Sequence, residues 1–222
     1  YVRCPLQYYF KYIEGIRDNK LNEEIQVNVV GSIIHKVLEN FYHKFNNDTI
    51  TSRLFELVYD KHFDQCYQDA LESNGFHSGL PQTGFNHLTK TVIDNMLANF
   101  FREEKKFIKD GETGSHRYEM SMIDMEKEMC NTFNINGKKI ALKGFADRID
   151  KINSTIRIID YKTGKVEDSN VKVKADQTDI TLMAEKSIQL LVYKYLYLKE
   201  NPELNPDDIE PGIIGFQKLS NG

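Results

Sequence analysis

The sequence contains little cysteine and no long apolar run, and each absence narrows the class of protein. Its three cysteines, Cys4, Cys66 and Cys130, lie far apart, which argues against a C-x-x-C zinc knuckle and a dense disulfide framework. No stretch approaches the roughly 18 consecutive apolar residues of a membrane helix, and the chain opens without a cleavable signal pattern. We therefore expect no membrane association and a reducing, cytoplasmic environment.

Neither sign of charge is in large excess, because 33 acidic residues stand against 29 basic ones for a net charge of −4. A protein that coats nucleic acid needs clustered Lys and Arg, so this balance disfavours that class. It leaves room for an enzyme with an acidic site and a local basic surface. The 222 residues suit one domain with a sizeable core. Because the chain opens at Tyr1 inside a helical pattern, we expect a domain cut from a longer protein.

Hydrophobic periodicity predicts a helical first half and a strand-bearing second half, separated by a glycine-containing break at residues 110–115. The turns Asn136-Gly137 and Asn153-Ser154 are typical of hairpins. The predicted helices cover residues 5–16, 32–45, 52–73, 87–109 and 182–198, and the predicted strands cover 120–135, 140–149, 155–162 and 212–219.

Two acids and a lysine lie in the second predicted hairpin. Residues two apart on a strand point to the same face, so Asp160 and Lys162 share one face. Hairpin pairing can bring Asp147, on the neighbouring strand, beside Asp160. Two carboxylates so close are unfavourable unless a cation lies between them, and the end of a buried strand is a common place for a binding site. The pattern predicts a divalent-metal site with Lys162 at its rim, although an isolated D-x-K is common on solvated surfaces.

Longer motifs around these residues carry a resemblance to a known family. G-F-A-D-R-I-D at 144–150, followed by I-I-D-Y-K-T-G-K at 158–165, resembles the core of RecB-like (AddB-type) nucleases in the PD-(D/E)XK superfamily. Asp147 matches the first acidic residue of that motif, Asp160 the second, and Lys162 its lysine. The second acid is Asp instead of Glu, as the RecB-like branch often shows.

Three further blocks resemble the same nucleases, in the same order along the chain. G-S-I-I-H, which ends at His35, resembles the upstream histidine motif. Gln189 with Tyr193 resembles the downstream Q-x-x-x-Y motif, and the opening C-P-L-Q-Y-Y-F-K-Y resembles the N-terminal segment. The resemblance thus covers almost the whole chain, and the four blocks are specific together although each one is weak alone.

The resemblance implies an α/β fold, in which a central mixed β-sheet of the restriction-endonuclease type is flanked by helices. A single domain would span residues 1–222, with a mainly helical part (1–115) that carries the histidine motif and a sheet-bearing catalytic core (116–222). The implied function is a metal-dependent nuclease that hydrolyses DNA phosphodiester bonds within a helicase–nuclease protein of DNA repair and recombination. DNA and a helicase domain or subunit would be its partners. An alternative stays open, namely a catalytically silent nuclease-like domain that binds DNA or proteins as a scaffold.

The same resemblance assigns roles at the site. His35, Asp147 and Asp160 would hold Mg²⁺ or Mn²⁺ together with the backbone carbonyl of Tyr161. A histidine in the ligand set suits Mn²⁺. Lys162 would orient or deprotonate the attacking water and stabilise the charge that develops on the phosphate.

Further residues are candidates for binding DNA or the metal. Gln189 and Tyr193 lie four apart on a predicted helix, so they project from one face, and the resemblance makes them DNA contacts. Arg148 is a weaker candidate, which either braces the sheet or binds a phosphate. Glu126 or Glu128 could approach the metal from the neighbouring strand, although an exposed strand face is the commoner environment for each.

Some relatives in this family bind an iron–sulfur cluster through one N-terminal and three C-terminal cysteines. Cys4 stands at the first of these positions, but the C-terminal three are absent here. Because a cluster needs its full ligand set, we expect none in this chain and interpret Cys4 as a small buried hydrophobic residue. The alternative is that the natural protein continues beyond Gly222 and supplies the other ligands.

Overall fold

The computed structural model describes residues 27–45, 48–76, 84–167 and 184–219, with the single residues 6, 9, 13, 14 and 171. Cys4 and most of the predicted helix over residues 5–16 lie outside this set, so the burial of Cys4 stays a prediction. The described part of the first half is helical and the second half holds the sheet. Among the described residues, no helix combines the length and the apolar character that crossing a membrane requires.

Three helices form the described part of the first half. They are α1 (Val27–Tyr42), α2 (Ser52–Ser73) and α3 (Gly84–Thr113), and a short 3₁₀ turn (His43–Phe45) follows α1. The predicted bounds of α2 are confirmed, and its start has a clear cause. The Thr51 side chain accepts a hydrogen bond from the Leu54 N–H at 3.2 Å and so caps the helix. By contrast, α1 begins earlier than its apolar spacing predicts, and α3 runs into the predicted break.

An aromatic cluster joins these three helices. The apolar stripe of α1 is buried, in agreement with its spacing. Phe41, near the end of that stripe, packs against five rings at centroid distances between 4.7 and 6.2 Å, and they belong to Tyr42, Phe45, Phe55, Tyr59 and Phe101. This packing fixes the position of α1, and therefore of His35, relative to the other helices.

Four strands form one mixed sheet, and in their order across it they are β1 (Met120–Ile135), β2 (Lys138–Ile152), β3 (Thr155–Lys162) and β4 (Ile209–Gly215). The β1–β2 and β2–β3 pairs are antiparallel, and the β3–β4 pair is parallel. Helix α4 (Glu185–Glu200) lies between the last two strands in the chain and packs on the sheet. The predicted mixed sheet flanked by helices is confirmed.

The predicted final strand over residues 212–219 is wrong at both ends. β4 begins at Ile209 and stops at Gly215, and Phe216–Leu219 form a short helix, α5. The chain turns there because the fully buried Phe216 stacks on Phe100 at 5.4 Å and meets Tyr161 edge-on at 6.0 Å. A run of apolar residues alone cannot separate a strand from such a helix.

The first two strands exchange faces halfway along their length. Met125 packs in the core beneath α1 to α3, whereas Met129 packs in the core beneath α4. Residues four apart on a regular strand share a face, so the alternation reverses between them. The reversal lies at Glu126, whose backbone has a left-handed φ of 49°. β2 shows the same reversal. Ala146 and Arg148 are two residues apart and should share a face, but Ala146 packs on the α4 side and Arg148 on the side of α1 and α3.

Replacing Phe41 with alanine removes the centre of the aromatic cluster and leaves a cavity between the helices. We expect the free energy of unfolding to fall by about 3–5 kcal/mol, the usual range for a buried Phe→Ala change. Urea unfolding followed by circular dichroism measures it. Leu57→Ala on α2 is the control, because Leu57 is 62% exposed and its loss should change stability little. Equal stabilities for the two variants would contradict the packing described here.

Candidate metal centre

The structure brings His35 and Asp147 together where α1 meets the middle of β2. Nδ1 of the His35 ring is 3.2 Å from Oδ1 of Asp147, and Nε2 is 3.1 Å from the carbonyl oxygen of Tyr161. Oδ2 of Asp147 accepts a hydrogen bond from the Tyr161 N–H at 2.5 Å. The backbone of Tyr161, on β3, therefore ties the two side chains to each other.

The contacts of the His35 ring call for a positive charge at this point. A neutral imidazole has one donor and one acceptor, yet both ring nitrogens face oxygen atoms. Either neutral tautomer therefore leaves a lone pair against an oxygen. Burial alone would lower the pKa of His35, but the hydrogen bond and the charge of Asp147 outweigh it and raise that pKa above its ordinary value. A second proton on the ring would remove the conflict, and so would a metal ion held by His35 and Asp147.

Glu126 completes a group of three possible metal ligands. One ligand atom from each of His35, Glu126 and Asp147 lies within 4.8 Å of the other two. The β1–β2 register places Glu126 opposite Asp147. Partial burial of the carboxylate and the charge of Asp147 raise the pKa of Glu126 to about 7, so a cation here would relieve the repulsion. The other candidate, Glu128, is exposed and pairs with Lys143 at 2.8 Å.

Asp160 lies beside this group but, among the described residues, is not part of it. Its carboxylate is almost fully buried. Oδ2 is 2.7 Å from Nζ of Lys162, and Oδ1 accepts a hydrogen bond from the Gln189 amide at 2.8 Å. Burial raises the pKa of Asp160, and the Lys162 hydrogen bond opposes this only in part. The role of Asp160 as a metal ligand stays a prediction, since its partners here are an ammonium and an amide.

Gln189 and Tyr193 project from the same face of α4, and that face points at Asp160. The Gln189 amide donates to the Tyr193 hydroxyl at 2.6 Å, and the hydroxyl is 3.4 Å from the Asp160 carboxylate. Tyr193 is buried and Gln189 is half-buried. These contacts hold the Asp160 carboxylate in place, while the predicted contact of both residues with DNA stays a prediction.

An open cleft of about 680 Å³ lies between α1 and the end of β3. His35 and Glu126 line it together with Lys162, whose side chain is 32% exposed. Two of the three possible metal ligands and the ammonium therefore face the same open cleft, with the buried Asp147 carboxylate behind them, and a hydrolytic site requires such access.

The predicted phosphate contact of Arg148 is wrong. Arg148 is fully buried on the side of the sheet that packs against α1 and α3. Its guanidinium pairs with Glu104 at 2.7 Å and Asp150 at 2.6 Å, and it lies 4.4 Å from the centre of the Tyr42 ring. A side chain with these partners and no exposed surface cannot reach DNA. Arg148 instead braces the sheet against the helices, which is the other alternative that the sequence leaves open.

A mixed sheet with two acids and a lysine on adjacent strands, beside a histidine from a preceding helix, is the arrangement that the sequence motifs predict for a nuclease, with a group that could hold a metal ion. The family model described as the PD-(D/E)XK nuclease superfamily matches residues 1–221, so the chain belongs to this superfamily. The family that the sequence motifs indicate is thereby confirmed.

Several curated relatives are named as the B subunit of an ATP-dependent helicase/deoxyribonuclease. The protein of Clostridium tetani (strain Massachusetts / E88) is 26% identical over 225 residues, which cover 96% of this chain and 18% of that protein. The protein of Carboxydothermus hydrogenoformans is 25% identical over 235 residues, with coverages of 100% and 20%. That of Clostridium botulinum (strain Loch Maree / Type A3) is 25% identical over 225 residues, with coverages of 99% and 19%. The chain therefore spans about a fifth of the length of these relatives.

Replacing Arg148 with methionine leaves the buried Glu104 carboxylate without its observed partner. We expect the free energy of unfolding to fall by about 3–5 kcal/mol, the usual loss when a buried pair is broken. Adding Glu104→Gln to this variant should restore part of the loss, because a neutral amide needs no counter-ion. Chemical unfolding of both single variants and the double variant measures the coupling. A variant that keeps full stability but binds DNA more weakly would instead support the phosphate contact.

Replacing Glu126 with glutamine removes one charged ligand from the group of three. We expect its affinity for Mn²⁺, measured by isothermal titration calorimetry, to fall on the order of 10–100-fold, as changes around metal sites commonly do. Glu128→Gln is the matched control, because Glu128 lies two residues along the same strand but pairs with Lys143 and is not one of the three possible ligands. The assignment of Glu126 fails if both variants bind Mn²⁺ as the parent does, or if both lose affinity equally.

Proposed function

We propose that this chain is a metal-dependent deoxyribonuclease domain that hydrolyses the phosphodiester bonds of DNA. The observation that carries the proposal is the convergence of His35, Glu126 and Asp147 within 4.8 Å, beside a cleft that His35, Glu126 and Lys162 line. Membership of a nuclease superfamily supports the reaction class. Openness of the cleft to solvent suits a polymeric substrate.

The donor set suits Mg²⁺ or Mn²⁺. Carboxylate oxygens suit hard ions such as Mg²⁺, whereas an imidazole favours softer divalent ions, so Mn²⁺ should be accepted well. Such an ion supplies Lewis acidity and lowers the pKa of a bound water. His35, Glu126 and Asp147 are the proposed ligands. Asp160 and the Tyr161 carbonyl lie next to them and are the candidates for completing the shell.

Lys162 is the residue that we expect to orient the attacking water and to stabilise negative charge on the phosphate oxygens. The Asp160 carboxylate pairs with the Lys162 ammonium at 2.7 Å, and the Gln189 amide donates a hydrogen bond to the same carboxylate. This chain of contacts, which starts on α4, positions the ammonium before the substrate arrives. Charge that is already in place needs no reorganisation during the reaction, and this is the main source of electrostatic catalysis.

The wider setting is proposed from the relatives. Their name pairs a helicase with a deoxyribonuclease, which supports a helicase domain or subunit as partner and a role in DNA repair and recombination. This chain covers only about a fifth of each relative, so these are proposals for the whole protein. DNA contacts by Gln189 and Tyr193 and a cytoplasmic location belong with them.

Replacing Lys162 with alanine should lower the rate of DNA degradation in Mn²⁺ by about 100-fold or more, as removal of a charge-stabilising donor commonly does. Initial rates on end-labelled linear DNA measure the effect, and excess EDTA should abolish the activity of the parent. Lys105→Ala is the control, because Lys105 is also ion-paired, with Glu56, but does not line the cleft. Equal rates for the parent and Lys162→Ala would favour the catalytically silent scaffold.

A further inference from the structure

The β1–β2 hairpin extends well beyond the rest of the sheet. β3 pairs with β2 only from Arg148 to Ile152, so residues 138–146 of β2 pair with β1 alone. We call this two-stranded part, residues 127–146, the ribbon. The Asn136-Gly137 turn forms its far end, and its near end adjoins the metal centre at Asp147.

One face of the ribbon is covered by α4. A Cβ atom added to Gly144 would lie 3.0 Å from Cδ1 of Tyr193 and 3.1 Å from Cδ1 of Leu196, so the helix approaches the bare backbone. Further along, Phe133 stacks on Tyr195 with 6.0 Å between ring centroids. The near end and the middle of this face are therefore in contact with α4.

The opposite face of the ribbon is exposed along its length, and we call it the open face. It consists of the alternate residues of both strands, namely Glu128, Cys130, Thr132 and Asn134 on β1 and Lys139, Ala141, Lys143 and Phe145 on β2. Each of the eight is exposed. Phe145 is the largest apolar side chain among them and is 52% exposed. A single exposed ring is common on protein surfaces, so exposure alone does not indicate that Phe145 binds a ligand. Its position beside the metal centre does.

Phe145 is the first residue of the open face beyond the metal centre. It lies two residues before Asp147, which a strand spaces by about 7 Å. Its cross-strand partner is Glu128, two residues after Glu126. Any molecule that covers the ring therefore lies beside the ion site. A permanently bound protein segment at this place would obstruct a DNA strand, whereas the strand itself could pass over the ring.

The charge of the open face suits a nucleic-acid backbone. Lys139 and Lys143 stand against one acid, Glu128, in a chain whose net charge is −4. Both partners of the Lys143–Glu128 pair are at least half exposed, so the pair is weak and a phosphate can replace the carboxylate. An aromatic ring flanked by cations is what single-strand-binding surfaces present, because bases stack on the ring and phosphates follow the cations.

We propose that the open face binds single-stranded DNA, with one base stacked on Phe145 and the neighbouring phosphates on Lys143 and Lys139. The inference rests on the proposed function, which gives the reason to expect DNA at this centre, and it adds the surface and the residues that would hold an unpaired strand. A base can stack on the ring only when its own face is free, so an unpaired strand is favoured over a duplex.

The test measures binding in the complete natural protein by fluorescence anisotropy of a labelled single strand, in EDTA so that no cleavage occurs. Phe145→Ala should weaken binding about 5- to 150-fold, the range for losing one stacked base. Phe145→Leu keeps apolar bulk without a π face and should also weaken it, whereas Phe145→Tyr should bind like the parent. A 2-aminopurine base in the strand reports stacking directly, because the parent should quench its fluorescence and Phe145→Leu should not.

Ile140→Ala is the matched control. Ile140 lies on the same strand and is 49% exposed, but alternation directs it to the other face. Ile140→Ala should leave both affinity and quenching unchanged, and binding of a duplex of the same sequence should be insensitive to Phe145→Ala.

The two lysines are tested by the salt dependence of binding. Changing Lys139 and Lys143 together to glutamine should lower the slope of log affinity against log salt concentration by about 0.7 for each phosphate that the variant no longer neutralises.

Equal binding by the parent and Phe145→Ala, or equal losses in Phe145→Ala and Ile140→Ala, would overturn the inference. A Phe145→Ala protein that binds DNA normally but no longer binds its helicase partner would overturn it too, since the open face would then be a protein interface. The assay contains no metal and is therefore independent of the nuclease test. If the parent degrades DNA but does not stack a base on Phe145, only this inference is contradicted. If the parent stacks a base but does not degrade DNA, only the proposed function is contradicted.

Discussion

The carboxylate of Asp147 joins one helix to two strands, and the geometry of the centre depends on it. One oxygen accepts a hydrogen bond from the Tyr161 N–H, and the other lies against Nδ1 of the His35 ring. Nε2 of the same ring contacts the Tyr161 carbonyl oxygen. The aromatic cluster around Phe41 fixes α1 independently of these contacts. Contacts within the protein therefore hold the imidazole and the carboxylate close together, and a site that is held in place loses less free energy to ordering when a ligand binds.

Arg148, the next residue along β2, has a structural role. Arg148 enters the core, where Glu104 and Asp150 neutralise it, and Arg157 also pairs with Asp150 at 2.7 Å. Buried ion pairs add little net stability, but losing one partner is strongly destabilising. We infer that this network mainly specifies how β2 sits against α1 and α3. Any other placement of the strand would leave a buried charge without a partner.

Sequence patterns account for much of the fold and for part of the site. The two hairpin turns predict the strands, and the cap at Thr51 fixes the start of α2. The Asn136-Gly137 turn also sets the register that puts Glu126 opposite Asp147, so this register could have favoured Glu126 over Glu128 from the sequence alone. The burial of Arg148 could not be predicted, because its partner Glu104 lies far away in the chain and only the fold brings them together.

The left-handed residue at Glu126 links the metal centre to the open face. A non-glycine residue in this conformation is strained by about 1–2 kcal/mol, and such strain is often found at functional sites. If the strands alternated regularly from Arg148 onward, Phe145 would point at α4 and Gly144 away from it. The reversal exchanges them, so the backbone approaches α4 and the ring is exposed. The same conformation that brings Glu126 to Asp147 therefore exposes the aromatic ring next to it, which gives a physical reason for strain within an otherwise regular hairpin.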